Sequence, residues 1–138
     1  NNLKKKSRSS GLDDTVIFTG FLPDKELLCA YKEADIFILP SFYELQSIVV
    51  LEAMAMGNAI LVGDSNQNAA RELVKEGENG YLFSLENPED AAEKIKLILS
   101  SDKLRKSFQE TSLRLAKEHD IEKSISKIEK FYHQLFIS

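Results

Sequence analysis

Pro40-Ser-Phe-Tyr-Glu44-Leu-Gln-Ser-Ile48-Val-Val-Leu-Glu52-Ala-Met-Ala-Met-Gly57 is the stretch from which the fold of this chain is read. Immediately before it, Ile36 to Leu39 is a short apolar run stopped by Pro40, which predicts a strand of a parallel sheet covered on both faces. From Ile48 to Met56 every residue except Glu52 is apolar, and Gly57 supplies a helix stop. The pattern predicts a helix without a solvent face, lying inside the domain.

A carboxylate on such a helix costs several kcal/mol, on the order of what a fixed polar partner must return. Glu52 therefore calls for a partner, either a Lys or Arg in a buried ion pair or a ligand. Glu44 precedes it by eight residues, a rise of about 12 Å if the intervening chain were fully helical, roughly the length of a nucleotide sugar. Spacing alone does not decide this, since Glu78/Glu86 and Glu110/Glu118 repeat it in stretches that read as solvated. What sets Glu44 and Glu52 apart is the order strand, Pro-Ser, acidic elbow, helix. The amides of Gln46, Ser47 and Ile48 at that helix start are placed to hold a diphosphate, with a carboxylate on either side.

The stretch resembles the Glu-x7-Glu motif of retaining glycosyltransferases of the GT-B fold, family 4 type, in their C-terminal donor-binding domain. The matching residues are Pro40-Ser41, Glu44-Leu45-Gln46-Ser47-Ile48 and Glu52-Ala53-Met54-Ala55-Met56-Gly57. Leu45, Gln46 and Ser47 stand where the family usually has Gly, an aromatic residue and Gly, and Leu45 narrows the room beside the sugar. The resemblance extends to Gly20-Phe21-Leu22-Pro23, to Ala34-Asp35 and to the turn Gly77-Glu-Asn-Gly80. It implies a Rossmann-like open parallel sheet flanked by helices, the C-terminal half of a GT-B enzyme. It also implies that Glu44 contacts the donor sugar in a catalytic, orienting role, that the amides of residues 45–48 meet the diphosphate, and that Glu52 meets the ribose diol. The implied donor is a UDP- or GDP-sugar, with an unidentified glycan, lipid or small-molecule acceptor and neither cofactor nor metal. The implied location is the cytoplasm, or the membrane periphery for the full-length protein.

The 138 residues, 43% of them apolar, suit one domain with a real core. A net charge of −4 argues against a nucleic-acid surface, so an anionic donor would have to be held locally. Cys29 is the single cysteine and reads as helix packing in a reducing compartment. His119 and His133 lack a Cys, Asp or second His at ligand spacing, and no apolar run approaches the roughly 20 residues of a membrane span.

Along the chain, Lys4, Lys5, Lys6 and Arg8 form a basic lead-in read as a solvated helix end. Strands are predicted at 16–19, 36–39, 59–63 and 81–83. Helices are predicted from Pro23 to Glu33 with Leu27, Leu28 and Tyr31 inward, and from Ala69 to Lys75. Asp64-Ser-Asn-Gln-Asn68 is a polar loop at a strand's C-terminal end, facing the same crevice as Glu44; Asp64 itself reads equally as a surface residue or cap. Asn87 caps a helix with Pro88 in its first turn and Ala91, Ala92, Ile95, Ile98 and Leu99 inward. Ile121, Ile125, Ile128, Tyr132 and Leu135 form an apolar stripe in the last helix, placed to associate with other surfaces.

Four strands are fewer than the five or six of a doubly wound sheet. The chain is therefore read as one nucleotide-sugar-binding unit, 1–138, truncated at its start, without the acceptor-binding domain and inactive by itself. Two other readings remain open: a GT-B-fold epimerase or phosphorylase, and a non-catalytic Rossmann-like interaction module, in which Glu52 would pair with a cation.

Overall fold

The computed structural model describes residues 2–136. In chain order the elements are α1 (Asn2–Ser9), α2 (Asp24–Glu33), β1 (Ile36–Leu39), α3 (Ile48–Ala55), β2 (Ala59–Gly63), a 3-10 turn (Ala69–Leu73), β3 (Gly80–Phe83), α4 (Pro88–Leu99), α5 (Asp102–Ala116), a 3-10 turn (Lys117–His119) and α6 (Ile121–Phe136). The strands form a parallel sheet in the order β1-β2-β3, with Ile36 opposite Ala59 and Ile60 opposite Gly80. Parallel neighbours need crossover connections, and α3 and the turn Ala69–Leu73 lie in the two crossovers.

Alternation along β2 feeds two cores. Ile60 and Val62 pack with Val50, Ala53 and Met54 of α3 and Tyr31 of α2, while Ala59 and Leu61 pack with Phe83, Ile98 of α4 and Phe108 of α5. The result is a helix, sheet, helix sandwich in which all five residues of β2 are buried. Gly57 closes α3 with φ +83°, a left-handed value that suits glycine. Asn87 accepts from the Glu89 N–H and caps α4.

Several expectations are corrected. Residues 16–19 are not a strand: Val16 N–H turns back onto Leu12 O, and no described strand lies beside the segment to complete a ladder. Cover on both faces holds for β2 but not for β1, an edge strand whose Ile38 is 39% exposed. The helix α3 does have an outer face. Two turns of helix turn Val50, Ala53 and Met54 inward and leave Ile48, Val49, Glu52 and Met56 exposed, so Glu52 is not a buried carboxylate. The segment after Asn68 winds as a 3-10 turn ending at Leu73 rather than a helix to Lys75. Leu28, Cys29, Ala92 and Leu99 are exposed, because each sits beside the inward stripe of its helix rather than on it. The stripe of α6 is exposed along its described length, as its pattern suggested.

Three buried asparagines, none singled out in the sequence, tie the connections to this frame. Asn58 donates to Tyr31 O and Ala34 O at the end of α2, at 2.8 and 2.7 Å. Asn79 bridges Leu73 O and the Lys75 N–H ahead of β3. Asn68 bonds Ser41 O, Gly63 O and the Ala70 N–H.

Candidate functional site

The elbow between β1 and α3 stands at the C-terminal edge of the sheet, where ligands settle in open α/β folds. Glu44 is held there by its main chain. Its N–H donates to Gln67 O at 3.1 Å, and its carbonyl accepts from the Ala69 N–H at 2.8 Å, making a parallel bridge with Asn68. The polar loop after β2 therefore does meet the elbow. Half-buried Glu44 accepts through Oε1 from the Gln46 N–H at 3.3 Å, and the Ile48 N–H donates to Gln46 O at 3.1 Å. Two of the three amides predicted to greet a diphosphate are thus occupied within the elbow itself. Ser47, a residue type that commonly caps helices, makes no side-chain cap at the start of α3; its hydroxyl is buried and has no partner. Leu45 is 96% exposed, with Gln46 and Ile48 also open to solvent.

A cleft of about 510 Å³ opens beside this elbow, lined by Glu44, Leu45, Asn66, Gln67, Arg71 and Glu72 among others. A neighbouring cleft of about 570 Å³ shares Asn66 and Gln67 and continues past Phe42, Tyr43, Asp64 and Glu86. Sequence reading missed Arg71, among the described residues the one basic side chain lining either cleft. Its Nε lies 3.0 Å from Asp64 Oδ1, an ion pair outside hydrogen-bond angles, and its Nη1 donates to Asn66 Oδ1. Asp64 is thus the partner of Arg71 rather than a helix cap. The available signal was an Arg three residues after a polar loop in an acidic chain.

Glu52 lines neither of these clefts. It stands on the outer face of α3, where the Tyr31 hydroxyl donates to its Oε2 at 3.3 Å. Among the described residues no Lys or Arg lies within ion-pair distance of it. Burial, then the Glu52 charge, then this hydrogen bond hold the Tyr31 phenol above its ordinary pKa of 10.0. A raised folded value means a contribution to stability that is complete below about pH 10 and lost as pH rises through the raised value. Urea midpoints across the alkaline range are expected to fall for the wild type and to fall less for Tyr31→Phe; equal slopes would separate Tyr31 from the alkaline transition.

Among the described residues no group of three or more His, Cys, Asp or Glu side chains is placed to hold a metal ion, and no helix is long and apolar enough to cross a membrane.

Comparison with known proteins bears on the fold and the family. An uncharacterized glycosyltransferase of Methanocaldococcus jannaschii is 37% identical over 90 residues, 65% of this chain and 23% of that protein. Among solved structures, the C-terminal domain of the group 1 glycosyl transferase LpcC from Francisella tularensis superposes with a TM-score of 0.78 at 30% identity, covering 87% of this chain and 62% of that one. The Anabaena protein HepE, solved in complex with UDP, superposes with a TM-score of 0.85 at 22% identity, covering 96% of this chain and 36% of that one, a likeness of fold. The chain spans between 14 and 35% of the length of the first curated relatives it matches. The profile of the family described as glycosyl transferases group 1 matches residues 1–115, so that the chain, with its α/β sandwich and parallel sheet, belongs to that family.

Proposed function

We propose that this chain is the nucleotide-sugar-binding part of a retaining, hexosyl-type glycosyltransferase of the family 4 kind, acting in the cytoplasm on a UDP- or GDP-sugar without a bound metal. The observation that carries the reading is the placement of two carboxylates around the start of α3, at the C-terminal edge of a parallel sheet. Glu44 stands beside an open cleft and Glu52 on the exposed face one turn on. That HepE binds UDP in a similar fold supports a nucleoside diphosphate as ligand.

In this reading Glu44 orients the sugar, Ser47 and the start of α3 receive the diphosphate, and Glu52, steadied by Tyr31, accepts from the ribose hydroxyls. A developing negative charge on the leaving diphosphate is stabilised by N–H groups in a fixed arrangement rather than by proton transfer from Glu44. The exposure of Glu52 and its uncharged partner, Tyr31, favour this role over an interaction module, for which a Lys or Arg beside Glu52 was the mark.

Titrated with UDP or GDP, the chain is expected to show its first resonance shifts at Gln46, Ser47 and Ile48. A response led by Lys4 to Arg8 would mean nonspecific anion binding and would remove the helix start from the site.

The two glutamates are expected to separate in calorimetry and turnover. Glu52→Gln keeps its shape but weakens two charge-assisted hydrogen bonds of about 1.5–3 kcal/mol each at most, so UDP or GDP binding should fall about tenfold or more. Glu44→Gln should leave affinity for the bare nucleoside diphosphate within about twofold while lowering turnover of the sugar donor. Unchanged nucleotide affinity in Glu52→Gln would make Glu52 a structural residue.

A further inference from the structure

We infer that Asn68 is the positioning residue for Glu44, setting where that carboxylate stands at the mouth of the cleft. The inference rests on the donor-binding reading above. Asn68 is 3% exposed. Its Nδ2 donates to Ser41 O at 2.9 Å, where the elbow begins, and to Gly63 O at 3.1 Å, where β2 ends, while its Oδ1 accepts from the Ala70 N–H at 3.0 Å. One side chain therefore joins the elbow, the central strand and the following turn. Its neighbours grip Glu44 from both sides, through Gln67 O and the Ala69 N–H.

The elbow has no regular element of its own between Leu39 and Ile48 and bonds to residues 67–69, which are held in turn by Ser65, through the Gln67 and Asn68 N–H groups, and by the Asn68 side chain, the one of these ties that also reaches the elbow. The job needs two N–H donors and one acceptor on a short stem, which among side chains of this size only asparagine provides. Asp would turn both donations into contacts between a carboxylate and a carbonyl, and Ala would leave the two carbonyls and the Ala70 amide without their partner. Displacing a catalytic group by about 1 Å costs up to about 10²-fold in rate. Asn68 borders the cleft, but its side-chain amide is bonded to Ser41, Gly63 and Ala70, so it acts through Glu44.

The test uses Asn68→Ala, with Asn68→Asp as the second variant should the first fold poorly, in the protein carrying this chain. Hydrogen exchange should quicken at least about tenfold at the Glu44 and Ala69 amides while Ile60, Leu61 and Val62 in β2 keep their protection. UDP-glucose and GDP-mannose serve as donors, and release of nucleoside diphosphate is followed for whichever the wild type cleaves. Asn68→Ala should lower kcat at least about tenfold in the wild-type background and less than about twofold on top of Glu44→Gln, with affinity for the free nucleoside diphosphate unchanged. Equal losses in both backgrounds, or exchange that quickens throughout β2, would make Asn68 a general fold determinant and overturn the inference. If the wild type cleaves neither donor, or Glu44→Gln leaves turnover intact, the donor-binding reading fails instead, and exchange at Glu44 and Ala69 still decides the structural claim.

Discussion

Gly80→Ala is expected to destabilise the protein by about 3 kcal/mol or more, at the upper end of overpacking costs or beyond them. A Cβ built at Gly80 lies 1.8 Å from Ile60 O and 2.7 Å from Ile60 C, and Ile60 is its register partner on β2. Both are backbone atoms of the buried central strand, so no side chain can rotate away; β3 must move off β2, and the layer of α4 and α5 must follow. Gly77 makes the matched control. It has φ +75° and nothing within 4 Å of a built Cβ, so Gly77→Ala should cost only about 1–2 kcal/mol of left-handed backbone strain. Urea unfolding of both variants gives the comparison. Equal costs would mean that the approach of β3 to β2 is looser than described.

Asn58→Asp should do comparable damage by electrostatics rather than by size. The Asn58 amide, 1% exposed, holds the carbonyls of Tyr31 and Ala34 at the end of α2. Asn58→Ala leaves both carbonyls without that donor, an expected loss of about 2–4 kcal/mol. Asn58→Asp faces them with an ionised carboxylate as well, and at neutral pH should cost more than the alanine change. The sign of its pH dependence is diagnostic. Burial beside two carbonyls raises the folded pKa of the new carboxyl, so the penalty is smallest below about pH 4, where folded and unfolded states are both protonated, and grows as pH rises through that folded value. Thermal melts at acid and neutral pH would show it, and a variant no less stable at neutral than at acid pH would remove the buried contact. Because Tyr31 lies at this joint and holds Glu52, either change should also weaken nucleotide binding under the proposed function.

The local elements were largely legible. Ile36–Leu39, Ala59–Gly63 and the Gly80 turn announce strands by short apolar runs and punctuation, and Pro23, Asn87-Pro88 and Gly57 mark helix ends, because these signals act within a few residues. Glu44 and Glu52 stood out through their sequence context. Their settings did not. An all-apolar helix reads as buried all round, yet α3 buries only the stripe that meets β2; whether a second surface covers Ile48, Val49 and Met56 is not written in the helix. Residues 16–19 have strand-like composition, but a strand exists only as one half of a ladder.

Arg71 and the three asparagines were invisible for a related reason. A polar side chain becomes a tie only when distant carbonyls converge on it, as Ser41 O and Gly63 O do on Asn68. Hydrophobic period and helix caps are short-range properties, and by themselves they determined most of the parallel α/β architecture, while the resemblance of the stretch around Glu44 and Glu52 pointed to the family that the profile match shows. The open face of Glu52, the cation that shares a cleft with Glu44 and the clamp that holds Glu44 depend on how separate segments pack, across as many as 27 positions from Ser41 to Asn68, and only the tertiary structure decided them.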